Sequence, residues 1–322
     1  MTMLDETAKG VFAISATPFS EDGSLDLEST DRMVGFYLDS GVSGLTILGV
    51  MGEAPKLSPD ESVAFTKRVL AAVDGRLPVV VGVSSPAFNP MSALTRQVMD
   101  LGVAGVMVAP AGGLNTDEKI ENYFHAVCDL LGDVPIVLQD YPPSTGVWFS
   151  TALLNRLFAD LPSLKVLKHE DWPGLRKVTQ FRAAEAAGER RRVSVLVGNG
   201  GLFLPQELSR GVDGAMTGFA FPEMLARVCN LHAAGDAEAA EDIFDAYLPL
   251  VRYEQQIGIG LAIRKETLRR RGVIASATTR APGPSLDQDD HAELTRLLDR
   301  LNRALAARGL DTSFYPPENK AA

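Results

Sequence analysis

The stretch Gly102-Val103-Ala104-Gly105-Val106-Met107-Val108-Ala109 opens with a four-residue joint that returns as Gly41-Val42-Ser43-Gly44 and Gly211-Val212-Asp213-Gly214. Each copy stands between a segment with helical apolar spacing and a short apolar run. Its first glycine can close a helix in the left-handed conformation, where a Cβ would be penalised. Outward from these joints, runs rich in Val, Ile and Leu recur at intervals of roughly 20 to 35 residues, each followed by a longer segment with helical periodicity. Eight runs are read, at residues 11–17, 44–48, 78–83, 104–109, 134–139, 164–168, 193–197 and 214–217. Most are nearly continuous apolar stretches rather than alternating ones, which suits strands buried on both faces of a parallel sheet covered by helices. Helix starts are marked as well. In Ser58-Pro59-Asp60-Glu61, Ser58 can cap, Pro59 fits the first helical position and Glu61 completes a capping box.

Eight strand-plus-helix units over about 225 residues match a closed (β/α)8 TIM barrel in the α/β class. An open doubly wound sheet is the alternative, but no G-x-G-x-x-G follows the first run. The runs stop near Glu223, and residues 237–271 and 287–307 read as two amphipathic helices. The expected division is therefore a barrel over residues 1–224 and a C-terminal helical extension over 225–322. Residues 273–284 have the composition of a surface connector, and the terminal Pro-Pro-Glu-Asn-Lys-Ala-Ala has that of a disordered tail.

Composition excludes several classes of function. The 322 residues are 46% hydrophobic and 22% charged, with 31 Lys and Arg against 41 Asp and Glu. The resulting charge of −10 repels phosphate backbones and anionic lipid surfaces, so neither nucleic acid nor membrane is an expected partner. Cys128 and Cys229 form no C-x-x-C pattern, which suits a reducing compartment. The acidic N-terminus lacks the pattern of a signal peptide, and no apolar run approaches about 18 residues, so a cytoplasmic location is expected.

In such barrels the reactive groups sit at the C-terminal ends of the strands. Lys168 ends the run Leu164-Lys165-Val166-Leu167-Lys168, where alternation sends either Lys165 or Lys168 into the barrel. Removal from water favours the neutral form of an amine, and a neutral amine attacks carbonyls to form a Schiff base. The plainer alternative is that Lys168 leaves the mouth for solvent or pairs with Glu170 or Asp171. Gly49-Val50-Met51-Gly52-Glu53 follows the second run, and its glycines allow a turn whose amides converge on a carboxylate; an ordinary connecting turn would look the same. After the fifth run, Gln139 and Tyr141 can face one side. Tyr141 is then a candidate for proton transfer, or a buried ring with its hydroxyl bonded to a loop. Gly198 opens Gly198-Asn199-Gly200-Gly201, which leaves room for a ligand or simply for the chain to turn. The four histidines show no metal-ligand spacing, His169 reads as pointing away from Lys168, and Arg269-Arg270-Arg271 reads as a solvated helix end. No metal and no cofactor are expected.

Taken together, Thr17-Pro18-Phe19, Gly49-Val50-Met51-Gly52-Glu53, residues 142–146, Lys168, Gly198 and residues 214–222 resemble the dihydrodipicolinate synthase / N-acetylneuraminate lyase family, from about Gly10 to about residue 300. The resemblance implies a barrel with C-terminal helices, a homotetramer or dimer, and a Schiff-base lysine at Lys168. It also implies a keto-acid site that takes in Gly49, Val50, Met51, Gly52, Gln139, Gly198 and Met216. There are departures. Synthase-type members carry G-T-T-G-E, whereas Val50 and Met51 lack both hydroxyls. The usual strand-five tyrosine falls on Gln139, the arginine for a second carboxylate on Ser144, and the relay tyrosine among Ala111, Gly112 and Gly113. Leu138-Gln139-Asp140, Gly214-Ala215-Met216-Thr217-Gly218 and Gly272-Val273-Ile274-Ala275-Ser276 look more like the branch with 2-keto-3-deoxyarabonate dehydratases.

The expected function is a Schiff-base lyase, dehydratase or aldolase, acting on a 2-keto acid and in particular a 2-keto-3-deoxy sugar acid. Glu53 is expected to support its turn rather than move protons. A dihydrodipicolinate synthase or N-acetylneuraminate lyase-like aldolase is the alternative within the class. The alternative from another class is a non-catalytic keto-acid-binding barrel that has lost turnover with its relay hydroxyls.

Overall fold

In a computed structural model, which describes residues 2–172 and 174–310, eight parallel strands close into a barrel in sequence order. They are β1 (Gly10–Ile14), β2 (Gly44–Ile47), β3 (Val79–Gly82), β4 (Gly105–Val108), β5 (Ile136–Asp140), β6 (Leu164–His169), β7 (Ser194–Val197) and β8 (Gly214–Thr217). All eight expected runs are strands, although β1 stops at Ile14, short of the expected Thr17. Beyond it Thr17 turns back to the β2 loop, donating its Oγ1 hydrogen to the Gly52 carbonyl at 2.6 Å. The joints behave as read: Gly41, Gly102 and Gly211 have φ of 72°, 93° and 87°. The capping box of Ser58 and Glu61 opens the helix Pro59–Val73.

Alternation along the strands sorts the side chains into two cores. Phe12, Ile14, Val80, Met107, Val137, Val166, Leu196 and Met216 fill the barrel interior. Their neighbours, including Ala13, Leu45, Val81, Leu138, Leu167 and Val195, pack outward against the helices. Because Val166 is inside and Leu167 outside, Lys168 has to be inside as well. Lys165 accordingly lies away from the interior, 3.4 Å from Glu6.

The C-terminal region differs from expectation in ways that matter for the site. The single helix read over 237–271 is two, Ala237–Glu254 and Gly260–Arg270, with a break containing Gly258 at φ 88°. Periodicity persists across the break, which is why the sequence pattern hides it. The expected division after residue 224 falls inside the helix Pro222–Ala233. The basic triplet is not a solvated end. Arg271 is buried on Glu223 at 2.7 Å and Arg270 on Glu266 at 2.7 Å, leaving only Arg269 substantially exposed. Residues 273–284 are half-buried in the main and fold back over the loop after β2. The tail Pro-Pro-Glu-Asn-Lys-Ala-Ala lies outside the described residues. No helix among them is long and apolar enough to cross a membrane.

Candidate active site

β5 and β6 run in register with Gln139 opposite Lys168 and Asp140 opposite His169. One pair therefore faces the barrel interior and the other faces outward. Lys168 is only 4% exposed, and its Nζ stands 2.8 Å from Glu170 Oε2. The same oxygen accepts a hydrogen bond from Gln139 Nε2 at 2.7 Å. Both readings of the lysine hold together: it points into the barrel, and it is paired with Glu170. Gly198 makes this possible, since a Cβ there would fall 2.1 Å from Glu170 Oε1.

Behind this inner set, Asp140 Oδ2 accepts from Lys177 Nζ at 2.8 Å and faces His169 Nδ1 at 3.2 Å, while Lys177 also reaches Asp171 at 3.0 Å. His169 thus points away from Lys168, as alternation requires. The outer network fixes the ends of β5 and β6, and with them the Gln139–Lys168 pair.

The cavity at the mouth is lined by Ile14, Val50, Met51, Gln139, Tyr141 and Lys168, together with Glu170, Asn199, Gly200, Thr217, Gly218, Gln255 and Arg264. Five sequence-predicted residues, Lys168, Tyr141, Val50, Met51 and Gln139, thereby meet in one place. Gly49, Gly52, Gly198 and Met216 do not line it. Gly49 and Gly52 shape the turn against Met107 and the Ser15 carbonyl, and Gly198 makes room for Glu170. Met216 is inward-facing but packs in the apolar interior; its neighbours Thr217 and Gly218 take the lining role expected of it.

The β2 loop is a 3-10 turn, Val50–Gly52, whose first amides have no preceding helical carbonyl to bond. Glu53 holds it from behind with φ 56°. Its Oε1 accepts from buried Lys265 Nζ at 2.6 Å, and its Oε2 from Lys56 Nζ and the Arg280 amide, each at 2.9 Å. Burial pushes the Lys265 ammonium below its ordinary pKa, against the pull of Glu53. Glu53 is thus committed to the turn and to the segment folded over it. Tyr141, just beyond β5, has its pKa raised from the usual phenol value, by burial first and by the Glu170 charge second, with Arg264 opposing. It is a proton donor rather than a base near neutral pH.

Sequence reasoning weighed Glu170 only as a partner for the lysine, took in Thr217 and Gly218 only as part of the 214–222 stretch, and missed Gln255 and Arg264. The last two come from the C-terminal helices. The available signal was the consecutive charges Arg264-Lys265-Glu266, all buried in a helix read as amphipathic. Elsewhere, Glu121, His125 and Asp160 bring ligand atoms within 4.8 Å of one another on partly exposed helices, but Glu121 is already engaged by Arg156 at 2.9 Å.

A closed (β/α)8 barrel with a buried lysine beside a carboxylate at its C-terminal mouth is the construction of a class I aldolase-type lyase. The chain belongs to the dihydrodipicolinate synthetase family, whose model matches residues 7–301. It is 31% identical to an L-2-keto-3-deoxyarabonate dehydratase of Azospirillum brasilense, over 91% of this chain and 94% of that one. A crystal structure described as a dihydrodipicolinate synthase of Rhodopseudomonas palustris superimposes with a TM-score of 0.91 at 46% identity, covering 93% of this chain and all of that one. An E. coli K12 prophage protein of the same family, solved in complex with pyruvate, superimposes with a TM-score of 0.82 at 25% identity, covering 91% and 98%. The chain is thus a Schiff-base lyase by family, and the two more similar relatives differ in the reaction they are named for.

Proposed function

We propose that this lyase dehydrates a 2-keto-3-deoxy sugar acid through a Schiff base on Lys168. The observation that carries the reading is the Lys168 Nζ to Glu170 Oε2 approach of 2.8 Å inside the cavity. Glu170 takes a proton from the ammonium, and the neutral amine attacks C2. The carbonyl oxygen leaves as water and an iminium forms. The iminium is an electron sink, so loss of a C3 proton to Glu170 gives an enamine without calling on a metal or cofactor. The enamine electrons then expel the C4 hydroxyl, which departs as water with a proton returned by Glu170 or Tyr141. Hydrolysis of the remaining iminium frees Lys168. The amides of Val50 and Met51 are the candidates for holding the C1 carboxylate, a role their side chains do not affect.

Dehydration is favoured over dihydrodipicolinate synthesis by the residues around the lysine. Val50 and Met51 bring no hydroxyl into the cavity, Gln139 replaces the usual tyrosine, and Ser144 is exposed and outside the lining. What stands at the lysine is a carboxylate, a group suited to shuttling a proton between C3 and a departing oxygen. The A. brasilense dehydratase, matched nearly end to end, supports the same reading.

The test is to incubate the protein with 2-keto-3-deoxy-L-arabonate, and separately with pyruvate plus aspartate semialdehyde, and to analyse products with and without borohydride. Loss of one water from the keto acid, a reduced adduct on Lys168 and no turnover in Lys168→Ala are expected. Turnover only of the second pair would replace this reading with the synthase, and an adduct without turnover of any keto acid would leave a binding role.

A further inference from the structure

Arg264 enters the barrel mouth from the helix Gly260–Arg270 and is 2% exposed. Its guanidinium is fixed on two sides. Nε donates to Glu254 Oε1 at 2.5 Å, and Nη2 to the Gly218 carbonyl at 2.5 Å. Glu254 is itself held by the Ala220 amide, 3.1 Å from its Oε2. The third nitrogen, Nη1, is buried and meets no hydrogen-bond partner among the described residues. Arg264 nonetheless lines the same cavity as Lys168, Glu170 and Tyr141. Space for Nη1 is kept by Gly218, where a Cβ would fall 1.9 Å from it.

A buried donor without a partner is costly, and a guanidinium braced this firmly cannot turn away to find one. We propose that Nη1 of Arg264 receives a hydroxyl oxygen of the keto acid beyond C3, which makes Arg264 a specificity residue for hydroxylated 2-keto acids over pyruvate. The proposal rests on the dehydratase reading for the placement of the substrate and adds to it which part of that substrate is recognised. A hydroxyl fits better than a second carboxylate for two reasons. With Nε on Glu254 and one hydrogen of Nη2 on the Gly218 carbonyl, Nη1 is the one nitrogen left wholly without a partner among the described residues, which suits a single acceptor oxygen better than the paired oxygens of a carboxylate. Its charge is also already matched by Glu254, so a second anion would enter the cavity without a counter-charge. A site built to bond a hydroxyl discriminates strongly against an analogue that lacks it, because the donor is then left unpaired.

Borohydride trapping of the Lys168 adduct, titrated with pyruvate and with 2-keto-3-deoxy-L-arabonate, gives half-saturating concentrations for each. In Arg264→Lys, which keeps the charge beside Glu254 and removes Nη1, the preference for the hydroxylated acid should fall about tenfold or more. Gly218→Ala, which displaces Nη1 while leaving both members of the ion pair, should move the ratio in the same direction and stands in if the lysine variant does not fold. An unchanged ratio overturns the proposal, as does an equal weakening toward both acids, which would assign Arg264 to the carboxylate they share. If wild-type protein forms no adduct with either acid, the Schiff-base reading fails by itself. Calorimetric binding of the same two acids to wild type and variants then gives the ratio that decides the role of Arg264.

Discussion

Glu170 Oε2 lies 2.8 Å from Lys168 Nζ, the lysine near the end of β6 and the glutamate just past it, with His169 turned outward between them. A nucleophilic amine needs somewhere to leave its proton, and this carboxylate is the group in contact. Glu170→Gln preserves size and the capacity to accept a hydrogen bond but cannot take the proton. Its kcat should fall by about 10²- to 10⁴-fold, the range for loss of a general acid–base group. Steady-state kinetics with the keto acid proposed above check this, and a loss under tenfold would remove Glu170 from the proton path.

Gly198 offers a gentler perturbation of the same pair. The Cβ of Gly198→Ala would fall 2.1 Å from Glu170 Oε1 and 2.3 Å from its Cγ, so the carboxylate has to move. Misplacement of a catalytic group by about an ångström costs about 100-fold in rate. The expected outcome is that loss of kcat with a circular dichroism spectrum like that of wild type. Retained activity would show that the carboxylate tolerates displacement.

These two residues also show what the sequence makes legible. Strand alternation places Val166 and Lys168 inside, and the glycine joints mark where strands begin, so the barrel and its lysine follow from local pattern. Glu170 lies past the strand, where alternation no longer fixes direction; it reaches the cavity because Gly198 on the next strand end leaves room. Arg264 and Gln255 are beyond local reading altogether. They are brought in by a helix break near Gly258 that periodicity does not reveal, some distance along the chain from the barrel strands. Met216 fails for a related reason: a motif match places it near the mouth, but the pleat puts it in the apolar interior beneath.

The Glu254–Arg264 pair should contribute to stability as well as to recognition. Both side chains are buried, and burial raises the Glu254 carboxyl above its ordinary pKa despite the pull of the arginine. Removing one member leaves an uncompensated charge, so Glu254→Gln should cost about 3–5 kcal/mol in urea unfolding. The double variant Glu254→Leu with Arg264→Met should be destabilised by clearly less than the sum of its parts, because neither charge is then stranded. Simple additivity would show that the two do not act as a pair.

Glu207 carries the last prediction. It sits on the short helix Leu204–Leu208, largely buried, and its Oε2 has no hydrogen-bond partner among the described residues. Burial pushes its pKa from 4.5 up to about 8. Between those values the folded chain holds a proton that the unfolded chain has released. The stability this group allows is therefore complete below about pH 4.5, declines as pH rises, and is lost once pH passes about 8. Glu207→Gln keeps a neutral side chain of nearly the same shape at every pH. Urea unfolding at about pH 5 and about pH 8.5 should then show the variant close to wild type at the lower pH and more stable than wild type at the higher. Parallel profiles for the two proteins would mean that Glu207 is ionised in the fold and that some unrecorded contact, rather than a retained proton, satisfies it.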